Sequence, residues 1–218
     1  LFVAQLTKLS SLQYDPRTGY ASIDALSWFN YLTFNIISDL AFSTPFSILE
    51  KGKDIAKVHK TPDSPPTYTP AIEVLHRHSE VSGTLRTIPF LKPYAVFLPD
   101  SFFSKGLKAI KNLARIIVMR VSKRLKPKVI ENNTRVNLLA RLIEGRNKTD
   151  TLLGRKKLIV EALTQLITSS NTTSNIAYAL LYWVLKIPRV IKKLQKSMDK
   201  TLPEGVEMPT FAQLKDIP

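Results

Sequence analysis

The chain has 218 residues, 44% of them hydrophobic, and a net charge of +15 from 32 Lys and Arg against 17 Asp and Glu. This is enough apolar content for a sizeable core and excludes general disorder, while the absence of cysteine excludes disulfides, thiolate catalysis and zinc–thiolate sites within these residues. Glycine is scarce at 7 residues and Leu, Lys, Ile and Ala recur in unbroken runs, which favours an all-helical class over turn-rich sandwiches and barrels.

Residues 1–12 read as the end of a helix, since "LFVAQL" opens inside an apolar pattern with no cap, and "YDPRTGY" then makes a turn. The segment 22–42, "SIDALSWFNYLTFNIISDLAF", is the next strong helix, with Leu26, Phe29, Leu32, Ile36 and Leu40 on one side. Pro45 and Gly52 mark a loop. The four prolines of "KTPDSPPTYTP" (60–70) predict a linker or surface insertion. A helix is expected over about 71–85, carrying "HRH" at 76–78. His76 and His78 are read as surface residues and no metal is expected.

Residues 88–103, "IPFLKPYAVFLPDSFF", are apolar, aromatic and broken by Pro89, Pro93 and Pro99, which rules out a regular helix. The segment packs on the core or dips into a membrane interface. Over 105–128 there is no acidic residue, and Leu107, Ile110, Ala114, Ile117, Val121 and Leu125 step by three and four. This predicts an amphipathic helix with a basic outer side, either plainly solvated or turned to an anionic membrane or an acidic protein. No motif or interleaved aromatic pattern points to nucleic acid. A short helix follows around 135–145.

From Arg155 to Ile187 there is neither Gly nor Pro, and from Ala162 to Leu185 there is no charge, so one long helix is expected. Its middle, "TSSNTTSN" (168–175), is wholly polar, which argues against a membrane span and for a central helix buried by others. Glu161, Gln165, Thr168, Thr172, Asn175 and Ala179 step by four and three along one face, with Leu163, Ile167, Ala177 and Leu181 opposite. Two readings stand for the patch: hydroxyls satisfied on carbonyls one turn back, or a site lined by hydroxyls. Pro188 opens a further helix at the position proline tolerates best. The C-terminal "FAQLKDIP" stops just after a charged stretch, and both ends are expected to lie inside a longer chain.

The run "EALTQLITSSNTTSNIAYALLYWVLKIPRVIKKLQ" resembles the distal I helix and the following J helix of the cytochrome P-450 monooxygenases. "WFNYLTFNIISDLAF", "GTLRTIPFLKPYAVFLPDSFFSKGL" and "LLARLIEGR" extend the likeness toward the fungal branch related to benzoate 4-monooxygenase. The resemblance implies an all-α, partial cytochrome P-450 fold with a long central I helix, residues 1–218 forming one incomplete domain. It further implies haem in the complete protein, NADPH through NADPH–cytochrome P-450 reductase, a small organic and possibly aromatic substrate, and the cytoplasmic side of the endoplasmic reticulum membrane.

Against the family motif [A/G]-G-x-[D/E]-T-[T/S], Thr172 matches the threonine that helps deliver protons during oxygen activation. Asn171 stands where the family has an acid, and Thr168 and Ser169 stand where it keeps two small residues over the haem. Thr172 and Asn171 are thus the expected catalytic residues, and Thr168 and Ser169 the cofactor-facing ones. An amide cannot ionise near neutral pH, so weak coupling of oxygen activation to substrate oxidation is expected. With no cysteine to ligate iron, this chain by itself is expected to be inactive. The contrasting expectation is a non-catalytic basic helical module that associates with a membrane surface or an acidic protein through 88–128.

Overall fold

A computed structural model of the protein describes residues 2–59, 65–95, 97–98, 100–125, 137–145, 151–202 and 209–215. The chain divides into two compact units, Leu1–Ser174 and Asn175–Pro218. The first opens with helix α1, Phe2–Leu12, and a small hairpin of strands β1 (Tyr14–Asp15) and β2 (Tyr20–Ala21). The hairpin turns through Gly19 at φ +73°, a conformation open to glycine without steric cost.

Helix α2 spans Ala25–Phe42. It starts where the Asp24 carboxylate accepts from the Ser27 N–H at 3.2 Å, and ends at Ser43, whose left-handed backbone returns an N–H to the Asp39 carbonyl. The buried face differs from the expected Leu26–Leu40 stripe, because Ile36 and Leu40 are half exposed while Trp28, Phe34, Ile37, Ala41 and Phe42 are buried. Apolar spacing alone misjudged the rotation because polar residues share the inner face. Asn30, Thr33, Asn35 and Ser38 are all buried and bonded: Thr33 Oγ1 donates to the Phe29 carbonyl, and Asn35 Oδ1 accepts from the Ile48 N–H.

Within the loop expected at Pro45–Gly52 lies a single-turn helix, α3 (Ile48–Lys51), whose Ile48 and Leu49 are buried. The stretch 60–70, read as a linker or surface insertion, instead contains strand β4 (Pro66–Thr69), which pairs antiparallel with β3 (Ala56–His59), while residues 60–64 lie outside the described ones. Pro66 sits at the first position of its strand, where a missing donor costs least.

Helix α4, Ala71–Thr87, begins on the Asp54 carboxylate, which accepts from the N–H of Ile72 at 3.0 Å and of Glu73 at 2.9 Å. Pro89–Leu91 forms a turn of 3₁₀ helix, and of this segment Ala95 packs on Val81 and Leu85 while Phe90, Tyr94 and Phe97 are exposed. Helix α5, Ser101–Arg124, starts earlier than the expected residue 105, because Asp100 accepts from the Phe102 N–H and supplies the missing cap. On its predicted apolar stripe, Ile117 and Val121 are fully buried. Gly106 of α5 lies against α4 so closely that a Cβ there would meet Val81 Cγ2 at 2.1 Å.

Helix α6, Leu138–Glu144, is capped by Asn137, whose side chain also donates to Ser43 Oγ at 2.8 Å. The long helix α7, Arg155–Lys186, runs unbroken as expected and continues into the second unit. In the first unit it presents Leu158, Ala162 and Leu166 to a core of Phe34, Ile48, Leu75, Ile117, Val121 and Leu139. The second unit holds the rest of α7, helix α8 (Pro188–Thr201) and a short helix α9 (Phe211–Leu214) with a capping box between Thr210 and Gln213. Its Tyr182 and Trp183 rings meet edge to face at 5.4 Å, with Lys186 Nζ 5.3 Å from both. Among the described residues no helix is long and apolar enough to cross a membrane.

Candidate active site

The first unit shows how α7 divides its faces. Leu158, Ala162, Leu166, Ser170 and Ser174 recur at every fourth position and are all buried. The lower part of this stripe is hydrocarbon and the upper part is hydroxyl, so the helix enters the core apolar and leaves it polar.

Each hydroxyl with an identified acceptor reaches back along its own helix or across to α2. Thr168 Oγ1 donates to the Thr164 carbonyl at 2.8 Å, Ser170 Oγ to Leu166 at 2.7 Å, and Thr172 Oγ1 to Thr168 at 2.5 Å. This is the back-bonding expected of Ser and Thr in a helix. Ser174 does more: its Oγ lies 2.6 Å from Asn30 Oδ1, tying the polar end of α7 to the buried asparagine of α2.

The predicted site residues occupy three environments. Thr168 and Thr172 share an open face, Ser169 is half-buried, and Asn171 is half-buried between that face and the Ser170–Ser174 stripe. Among the described residues of the first unit, the expected enclosure of α7 is thus found on one face only. Gln165 Oε1, one turn before Thr168, is buried and has no hydrogen-bond partner among the described residues.

Asn171 brings in a residue that sequence reasoning had set aside. Its Oδ1 lies 3.1 Å from Nε2 of His76 on α4, close enough for the ring N–H to donate to the amide oxygen. His76 stands on the wall of a cavity of about 340 Å³ that opens to solvent and is also lined by Asn30, Tyr31, Asp54, Glu73 and Glu80. The signal available in the sequence was slight: a histidine on a helix 95 positions away, with nothing local to mark it.

Charges around the cavity respond to burial. Asp54 is held above the ordinary carboxylate value, chiefly by desolvation, although the N–H groups of Ile72 and Glu73 oppose the shift. The Tyr31 phenol is raised, first by its own burial and then by Asp54 and Asp24. His78, on the same helix as His76, is lowered by burial, and its Nδ1 has no partner among the described residues. Away from the cavity, Arg120 donates to the Thr44 carbonyl at 2.8 Å and covers the Phe46 ring at 4.4 Å; burial lowers its pKa to about 10.

Between Ala162 and Leu185 the long helix is uncharged, carries hydroxyls on an open face and is tied to α2 through Ser174. The chain belongs to the cytochrome P450 family, which it matches over residues 4–218. It is 56% identical, over all 218 residues, to benzoate 4-monooxygenase bphA of Aspergillus niger and spans 42% of that protein. Cytochrome P450 monooxygenase efuB of Hormonema carpetanum is 25% identical over 198 residues, covering 88% of this chain and 35% of that one. Among solved structures, the heme domain of cytochrome P450DA superposes with a TM-score of 0.69 at 16% identity, covering all of this chain and 40% of that one. The chain therefore spans about two-fifths of the length of the relatives it matches.

Proposed function

We propose that the chain is part of a haem-thiolate monooxygenase that places one oxygen atom of O₂ on a small aromatic acid, in the manner the name benzoate 4-monooxygenase describes. The observation that carries this reading is the 56% identity to that enzyme along every residue of the chain. The open face of α7, with Thr168 and Thr172, and the half-buried Ser169 beside it fit one wall of a haem site: all three are small, uncharged and bear hydroxyls, and Gln165 adds a buried acceptor with no partner among the described residues. The family's haem would supply the oxidising chemistry, and its cysteine ligand is not among these residues.

The chain's own part is positional. Thr172 bears a hydroxyl that accepts and donates at once, which a proton relay requires. Asn171, beside it, holds a hydrogen bond without carrying charge. Thr168 and Ser169 would narrow the space over the cofactor. NADPH with its cytochrome P-450 reductase is the electron source this reading needs, and the cytoplasmic face of the endoplasmic reticulum is its place. The exposed rings of Phe90, Tyr94 and Phe97, in a segment that also carries Lys92, support contact with an anionic membrane surface there.

The test uses the full-length protein with reductase, NADPH and benzoate. The expected result is a reduced carbon-monoxide spectrum of thiolate-bound haem and a product hydroxylated on the ring. Absence of that spectrum from folded, haem-reconstituted protein refutes the reading, and a spectrum with turnover of other acids alone refutes the substrate class.

A further inference from the structure

Between α4 and α5, in the first unit, lies a second solvent-open groove of about 400 Å³. We infer that this groove binds the aromatic acid, holding its carboxylate from the α5 side and its ring against α4. The identity of the acid rests on the monooxygenase reading above; the class, a small anion with an apolar body, follows from the groove's own residues.

Charge sets the sign of the ligand. From Ser101 to Arg124, α5 carries no acidic residue. Lys105, Lys108 and Asn112 follow at spacings of three and four, so they share one side of that helix, and all three line the groove. Both lysines are exposed, and neither has an ion-pair partner among the described residues. Across from them, Arg77 of α4 is engaged by Glu80 at 2.9 Å. Two ammonium groups are therefore set against one carboxylate, that of Glu73. Because Glu73 belongs to α4, it repels an anion from that wall while the lysines draw it to the other.

Shape and polarity narrow the class further. Pro70 and Val74 give the α4 side hydrocarbon on which a flat ring can lie. Asn112, whose Oδ1 accepts from Arg115 at 3.5 Å, keeps its N–H₂ for a carboxylate oxygen, and the Thr69 hydroxyl offers a further donor. The volume falls within the range of small-molecule sites, roughly 300–1,000 Å³. A bare phosphate leaves the hydrocarbon unused, whereas an aromatic carboxylate, ionised at neutral pH, engages both parts. One exposed ion pair contributes little. Binding is accordingly weak, and it depends on both lysines together with the ring contact.

The test uses the full-length, haem-loaded protein with its iron blocked by an azole, so that acid near the iron does not contribute. Binding of ring-fluorinated benzoate is read from its ¹⁹F relaxation. Lys105→Gln and Lys108→Gln should each weaken binding about twofold to fivefold, and the double variant more. Glu73→Gln should tighten it. Lys156→Gln/Lys157→Gln, an equal loss of charge at exposed positions on α7, should leave it unchanged. Fluorobenzamide, the neutral counterpart, should bind more weakly and ignore the lysine substitutions. Parent-like binding in the Lys105/Lys108 double variant overturns the proposal, as does equal weakening in the α7 control, which would reduce the effect to net charge. Displacement by inorganic phosphate or by phosphatidylserine vesicles as effective as by unlabelled benzoate also overturns it, assigning the groove to any anion or to lipid. A protein that binds the acid in this way and hydroxylates no aromatic acid refutes the monooxygenase reading, and the substrate assignment with it. Hydroxylation alongside lysine-independent binding refutes this proposal alone.

Discussion

Removing the hydroxyl of Ser174 probes how the polar end of α7 is held. Ser174 is fully buried, and its Oγ lies 2.6 Å from Oδ1 of Asn30, which is 6% exposed. Ser174→Ala deletes one atom and leaves no cavity of consequence, so the cost lies in the stranded acceptor. An unsatisfied buried polar group costs about 1–3 kcal/mol. Asn30 also lines the solvent-open cavity. Water can reach it there, which places the loss in the lower half of the range, about 1–2 kcal/mol. Urea unfolding of the full-length protein measures it, with Asn30→Leu and the double variant closing a thermodynamic cycle. Since replacing both partners by apolar groups is close to neutral, the coupling should be about 1 kcal/mol or more. A coupling indistinguishable from zero would refute the claim that this bond anchors α7 to α2.

Two other substitutions test packing and charge. Gly106→Ala should destabilise the protein despite alanine's helix advantage of about 1 kcal/mol, because the new Cβ would sit 2.1 Å from Val81 Cγ2, and overpacking costs about 1–3 kcal/mol. Denaturant midpoints check this, and adding Val81→Ala should recover part of the loss by making room. The burial that lowers His78 below its ordinary value of 6.5 favours the neutral ring in the folded state. Its contribution is therefore present above pH 6.5 and lost as pH falls through the folded value. The stability of the parent relative to His78→Gln should decline with acidification over that window, and a difference independent of pH would contradict the burial account.

Much of this protein was legible along the chain. The absence of Gly and Pro from Arg155 to Lys186 determines α7 by itself, and Pro188 determines where α8 begins, because both follow from local backbone chemistry. The back-bonding of Thr168, Ser170 and Thr172 is local in the same sense, each hydroxyl reaching a carbonyl four residues earlier. What the tertiary structure decided is which faces turn inward and which distant groups meet. Hydrophobic spacing placed the inner side of α2 on Ile36 and Leu40, but Asn30 and Ser38 are buried instead because partners outside the helix receive them: Ser174 across the core and the Phe46 N–H of the next loop. His76 and Asn171 are separated by 95 positions and share no local pattern. Only the packing of α4 beside α7 makes them neighbours, since a hydrogen bond between remote residues depends on where both backbones lie.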